Sequence, residues 1–262
     1  MVKDEFSVLF ARVDDLCRGA ERGVLGITDF LSPREQHFVL RHLREQGASV
    51  GCFMWGGYKD AQRRRAFILP EFIEDFSEYS DILPFFDGER ISALFVAESG
   101  YKKLSHRDYL GSVLALGIDR SVVGDILISA EEKGAFLFCE DAIADFILAE
   151  LSRVGNDAVK VSRVTVGEDF APKVQMAHIT DTVASPRLDC VVAAVCSLSR
   201  ERASAAVRSG LVEVEYETVE APDKQLSPPC IMSVRGYGKF RINALSELTR
   251  KGRIRLDADK YV

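Results

Sequence analysis

Leu198-Ser199-Arg200-Glu201-Arg202-Ala203-Ser204-Ala205-Ala206-Val207-Arg208-Ser209-Gly210-Leu211-Val212-Glu213-Val214 carries its own start and stop signals. The Ser199 hydroxyl can accept from a free backbone N–H at a helix start, and Gly210 tolerates the left-handed backbone that ends one. Between them Ala203, Ala206 and Val207 fall on one face, and Arg200, Ser204 and Arg208 fall four apart on another. The spacing predicts a helix through Arg208 with one side for a core and a cationic side for a partner. From residue 211 to 217 apolar and acidic residues alternate, as in a half-buried strand.

Working outward, residues 188–195 read as a preceding helix, and 181–186, polar and closed by Pro186, as a linker. Downstream, residues 222–229 read as a loop and 231–234 and 240–242 as short strands. Further upstream the order becomes β-α-β-β-α-β. The strands are 91–96, 126–129, 135–139 and 159–164, and the helices are 108–116 and 141–154, the second with Ile143, Phe146, Ile147 and Leu151 on one face. That order is the split βαβ pattern of ferredoxin-like folds. The RNA-recognition version presents alternate aromatics after a basic-Gly pair. Here Lys133-Gly134 is followed by Ala135, Phe136, Leu137 and Phe138, one residue out of register, so Phe136 and Phe138 are expected in the core.

At the front, Phe6, Leu9, Phe10, Val13 and Leu16 mark an amphipathic helix over residues 4–22. Ser32-Pro33-Arg34-Glu35 is a capping box with proline in the first turn, and Gly47 closes that helix. Strands are expected at 50–55 and 66–69, with Arg63-Arg64-Arg65 in the turn between them, and residues 71–87 as a connection. The fold class is α+β in three parts: a small N-terminal α/β domain (1–75), an RRM-like, ferredoxin-like plait (85–180) and a C-terminal domain (185–262).

The chain has 262 residues, 47% hydrophobic and 28% charged, which excludes disorder and fibre. No apolar run reaches the about 18 residues of a membrane span, so no membrane partner is expected. Met1-Val2-Lys3-Asp4-Glu5 lacks the apolar core of a secretory leader, and the six cysteines form no C-x-x-C pair. Reduced thiols, no metal, no cofactor and a cytoplasmic location are the expectation. The net charge of −6 excludes a uniformly basic nucleic-acid coat. Residues 185–262 nevertheless hold 13 Lys+Arg against 10 Asp+Glu. Within 235–255 stand Arg235, Lys239, Arg241, Arg250, Lys251, Arg253 and Arg255 against Glu247 alone. Polyanion binding is thereby confined to one surface.

Arg187-Leu188-Asp189, Leu198-Ser199-Arg200, Ala203, Val207, Gly210-Leu211-Val212-Glu213-Val214 and Arg235-Gly236-Tyr237-Gly238-Lys239-Phe240 together resemble the S-four RNA-binding domain. The resemblance implies that two helices and a strand present a basic face to structured RNA. Arg187, Ser199, Arg200, Arg208 and Lys239 match RNA-facing positions, and Arg235 and Arg241 extend them. Glu215-Tyr216 stands where that family usually has Asn-Gly, and Pro229-Cys230 where it has Gly-Asp. Over nearly the full length, Gly56-Gly57-Tyr58, Asp60, Arg63-Arg64-Arg65-Ala66, His106-Arg107-Asp108-Tyr109-Leu110-Gly111, Leu116-Gly117-Ile118, Arg120 and Val123-Gly124-Asp125-Ile126 resemble the YlmH-type family of bacterial RNA-binding proteins. That resemblance implies binding to ribosomal RNA and tRNA on the large ribosomal subunit, a role in ribosome quality control and a link to cell division through a protein partner. Arg63, Arg64, Arg65, His106 and Arg107 make a second candidate RNA contact.

Enzyme readings are weaker. His106 and Asp108 are two apart on a helix and point away from each other, so they brace the helix start or touch phosphate rather than relay protons. Gly236-Tyr237-Gly238 opens no helix, and no Walker loop, His-Glu-x-x-His site or nucleophile elbow occurs. RNA-modifying enzymes with an S-four module carry a large catalytic domain after it, whereas 20 residues follow Ile242 here. The expectation is RNA binding without catalysis, with a division-linked protein scaffold and an RNA-modifying enzyme as alternatives.

Overall fold

The computed structural model describes residues 5–74, 76–85, 90–100, 104–129, 131–167, 170, 176–248 and 252–261. The chain divides into two compact units, Met1–Pro172 and Lys173–Val262. The front unit carries 20 Lys+Arg against 29 Asp+Glu and the rear unit 14 against 11, so the sign change follows the structural division.

The front unit begins with α1 (Ser7–Glu21), β1 (Gly26–Ile27), α2 (Pro33–Gln46), β2 (Gly51–Trp55), β3 (Arg65–Leu69) and the short α3 (Tyr79–Ile82). Helix α2 forms where its caps predict. Ser32 Oγ accepts from Glu35 N at 3.3 Å, Glu35 accepts from Ser32 N at 2.7 Å, and Gly47 takes φ 62. The strands make a three-stranded antiparallel sheet, β1-β3-β2. Central β3 is buried on both sides. Ala66 and Ile68 meet Val13, Val39 and Leu43 of the two helices, and Phe67 and Leu69 enter a different core.

That different core joins the expected first and second domains. The second part contains β4 (Ile91–Glu98), α4 (His106–Leu114), β5 (Val123–Ser129), β6 (Gly134–Glu140), α5 (Asp141–Glu150), β7 (Arg153–Val154) and β8 (Asp157–Val164). Its sheet runs β5-β6-β4-β8-β7 with every neighbouring pair antiparallel. Leu94, Val96, Ala135, Leu137 and Cys139 face α4 and α5. Phe138, Ile91 and Ala93 face the other way, against Tyr58, Phe30 and Phe67. Phe138 is therefore buried as expected, but in the core shared with the front elements, its ring centre 4.9 Å from that of Tyr58. Gly57 makes this closure possible. A Cβ there would lie 2.5 Å from the Phe138 ring, and its φ of 98 suits glycine. Helix α5 ends at Glu150, four residues short of the expectation, because the chain turns into β7. Phe146, expected on its apolar face, is 48% exposed.

The rear unit contains β9 (Met176–Val183), α6 (Leu188–Val195), α7 (Arg200–Arg208), β10 (Val212–Val214), β11 (Glu217–Thr218), β12 (Cys230–Val234), β13 (Gly238–Leu248) and β14 (Ile254–Tyr261). Residues 181–183, expected in a linker, belong to β9, which pairs along its length with β14. The six strands run β11-β10-β12-β13-β14-β9, all antiparallel, and α6 and α7 cover one face. The strand expected over 211–217 is divided by a two-residue hairpin turn, Glu215-Tyr216, with both φ values positive, 49 and 62. Among the described residues, no helix is long and apolar enough to cross a membrane.

Candidate nucleic-acid interface

Helix α7 is built as its sequence specifies. Ser199 Oγ accepts from Arg202 N at 3.3 Å, and Ala203 and Val207 are fully buried against α6 and the sheet. Arg200 and Arg208 stand exposed, and eight residues of helix separate them by about 12 Å along the axis. The start of α6 is closed by the 222–226 loop, with Leu188 N donating to Lys224 O at 2.8 Å and Asp189 N to Pro222 O at 3.0 Å.

Asp189 organises the two helix starts. Arg187 Nε and Nη2 donate to its two oxygens, both at 3.0 Å, and Arg200 Nε lies 3.5 Å from Oδ2. The carboxylate is almost wholly buried. Burial raises its pKa, but hydrogen bonds from Arg187 and Cys190 and the charges of Arg187 and Arg200 outweigh that and hold it below the ordinary value. Arg187 therefore spends its fork on a buried carboxylate and keeps 34% of its side chain in solvent, while the Arg200 side chain keeps 61%.

The remaining rear cations separate. Arg235 N donates to Leu211 O at 2.9 Å, which puts the Arg235 backbone at the end where α7 stops, with Arg208. Phe240 and Ile242 of β13 enter the core below the helices, so Lys239 and Arg241 project from the opposite, open face. Arg255 lies on that face too, beside buried Leu256, and Arg253 donates to Thr182 O. Arg250 and Lys251 lie outside the described residues. Of the basic strip expected over 235–255, Lys239, Arg241 and Arg255 thus share the open face, apart from the end of α7 where the Arg235 backbone stands. Lys239 Nζ sits 5.1 Å from the Tyr216 ring centre and 5.2 Å from that of Tyr261, and donates to Tyr216 Oη at 3.3 Å. Burial lowers its pKa, opposed by the charge of Glu215.

Arg63, Arg64 and Arg65 brace the front unit. Arg63 donates to Val123 O at 3.0 Å and Phe30 O at 2.8 Å. Arg64 donates to Ala61 O at 2.6 Å. Arg65, buried, donates to Thr28 O at 2.7 Å and Arg90 O at 3.0 Å and pairs with Glu140 at 3.1 Å. All three residues expected at a second RNA contact thus donate to backbone oxygens of the front unit. His106 and Arg107 are exposed at the start of α4, where Ser105 and Asp108 form the capping box. Asp108 thus braces the helix start as expected. The roles of Asp189, Tyr216 and Tyr261 escape a sequence reading. The one local signal is Asp189 two residues after Arg187 at a helix start.

Fold and site together define a mixed α+β protein with an acidic front unit and a cationic helix face in its rear unit. A family model described as "Putative RNA-binding domain in YlmH" matches residues 95–168. The "Ribosome-associated protein quality control protein P2" of Bacillus subtilis (strain 168) is 32% identical over 234 residues, 89% of this chain and 86% of the relative. The chain belongs to the YlmH family. A solved structure, "Cell division protein ylmH from Streptococcus pneumoniae", aligns over 65% of this chain and 96% of its own at 17% identity, with a TM-score of 0.49.

Proposed function

We propose that this protein binds structured RNA on the ribosome without catalysing a reaction, and that the solvent-facing side of α7 makes the principal contact. The observation that carries the proposal is the pair of exposed guanidinium groups, Arg200 and Arg208, on a capped helix whose other side is core. Arginine suits this task because its planar fork matches phosphate oxygens two at a time. Arg235 extends the contact at the α7 end, while Arg187 is engaged by Asp189, the carboxylate that Arg200 also approaches. His106 and Arg107, both exposed, give a second contact inside the segment that matches the RNA-binding family model.

We further propose that the rear unit is an S-four-type module and the β-α-β-β-α-β part an RRM-like plait. Support for the second is the strand order β5-β6-β4-β8 with α4 and α5 on one face. This plait does not stack bases on its sheet, because Tyr58 and its neighbours cover Phe138. The name of the Bacillus subtilis relative supports a ribosome-associated place in quality control. Large-subunit ribosomal RNA and tRNA as ligands and a cytoplasmic location are our proposal from the family resemblance.

Arg200→Glu combined with Arg208→Glu reverses two exposed charges, of which Arg200 also pairs with Asp189 at 3.5 Å. The double variant is expected to keep its circular dichroism spectrum, to unfold at a modestly lower midpoint because Arg200 leaves Asp189, and to lose co-sedimentation with ribosomes. Undiminished co-sedimentation of the folded variant rejects α7 as the contact.

A further inference from the structure

We propose that Tyr216 and Tyr261, with Lys239 between them, form a stacking site for an unpaired RNA base on the open face of the rear sheet, opposite α6 and α7. The inference rests on the RNA-binding reading above and adds a second, chemically different contact to it. A two-residue hairpin turn of this kind takes left-handed backbone at both positions, which asparagine and glycine adopt with little strain. Here the turn is Glu215-Tyr216, with φ 49 and 62. Glu215 has a local duty, since its Oε1 accepts from Ile231 N at 2.6 Å. The Tyr216 ring reaches across the open face to Lys239, 5.1 Å from the amine, and Tyr261 at the end of β14 meets the same amine from 5.2 Å.

A strained bulky residue held in a turn is an outlier whose explanation is sought in function. Lys239 gives no such explanation by itself, because its amine could equally be solvated. Two aromatic faces around a cation are, however, what unpaired nucleotides require. The rings stack on a base of any identity, and the cation meets the adjoining phosphate. Tyr216, Lys239 and Tyr261 are each partly exposed residues. Arg241 continues the same face two residues along β13, and Tyr237, 41% exposed, stands in the turn just before Lys239.

The test uses the full chain and two probes. One is an oligouridine of about ten nucleotides carrying a fluorescent adenine analogue that stacking quenches, a length within the span of known single-strand sites. The other is a blunt RNA duplex. Wild-type protein is expected to quench the analogue and to bind the duplex. Tyr216→Gly relieves the backbone, so its unfolding midpoint should equal or exceed that of wild type, while affinity for the oligouridine falls about 5- to 100-fold. Duplex affinity should not move. Tyr261→Ala should weaken the same probe alone. Arg200→Glu with Arg208→Glu should lose the duplex and keep the quenching. Unchanged quenching in Tyr216→Gly overturns the stacking site. So does a loss of stability that tracks the loss of affinity, which would make the ring a packing element. Wild-type protein that binds the duplex without quenching rejects this site alone, and failure to bind either probe rejects the RNA-binding reading with it.

Discussion

Asp125 holds the front unit's two parts together through three donors. Tyr58 Oη reaches it at 2.7 Å, Gln62 N at 2.6 Å and Arg63 N at 3.1 Å. Tyr58 is buried and its pKa lies well above the ordinary tyrosine value, from burial first and the Asp125 charge second. Replacing Asp125 by alanine strands that hydroxyl in a dry site and frees the loop that seals Phe138. The expected loss of unfolding free energy is about 3 kcal/mol, read from urea denaturation, with Tyr58→Phe costing about 1 kcal/mol. A loss of less than about 1 kcal/mol for Asp125→Ala would mean that water replaces the carboxylate. None of this is legible in Gly56-Gly57-Tyr58-Lys59-Asp60-Ala61-Gln62-Arg63-Arg64-Arg65 alone. A basic cluster in a turn has the same sequence whether it faces solvent or, as here, donates inward to Phe30, Val123 and Thr28. The deciding acceptors lie tens of residues away.

The α6–α7 pair shows where local chemistry suffices and where it does not. Ser32 with Glu35, Ser199 and Gly47 mark their helix ends because a cap is satisfied within four residues, so α2 and α7 were legible. Strands β9 and β14 were not, because each is defined by the other, from Val183 with Ile254 to Met176 with Tyr261, far apart along the chain. The charged side of α7 was legible as a pattern, but the partner that restrains it, Asp189, belongs to the preceding helix. Its carboxylate sets stability against binding. Asp189→Asn keeps the shape and removes the charge, so the helix pair should lose about 1–2 kcal/mol in denaturant. RNA affinity should rise, because Arg187 and Arg200 are released from an acid. Reduced affinity would show instead that Asp189 presents those arginines in the binding geometry. The same carboxylate predicts a pH effect. Its folded pKa is depressed, so its contribution is complete above the unfolded value of about 4 and is lost as pH falls below that, through the folded pKa. Wild-type stability should therefore drop more steeply than that of Asp189→Asn between about pH 4 and pH 2, in parallel thermal melts.

At the scale of the molecule, charge is the property that separates the two units, −9 in front and +3 behind. Net charge of −6 argues against general attraction to nucleic acid, so any RNA affinity has to come from a few cations in one place. That makes the salt dependence a count of contacts. Each duplex phosphate neutralised contributes about −0.9 to the slope of log affinity against log salt. If Arg200, Arg208 and Arg235 each meet one phosphate, the slope should be about −3, far shallower than that of a protein coated with cations. Arg208→Ala should bring it to about −2 and lower affinity similarly for unrelated duplex sequences, since phosphate contacts carry no base information. Tyr216→Gly should leave the slope alone. A slope near zero in the wild-type protein would mean that phosphates are not the ligand, and would favour a protein-binding role for the acidic front unit.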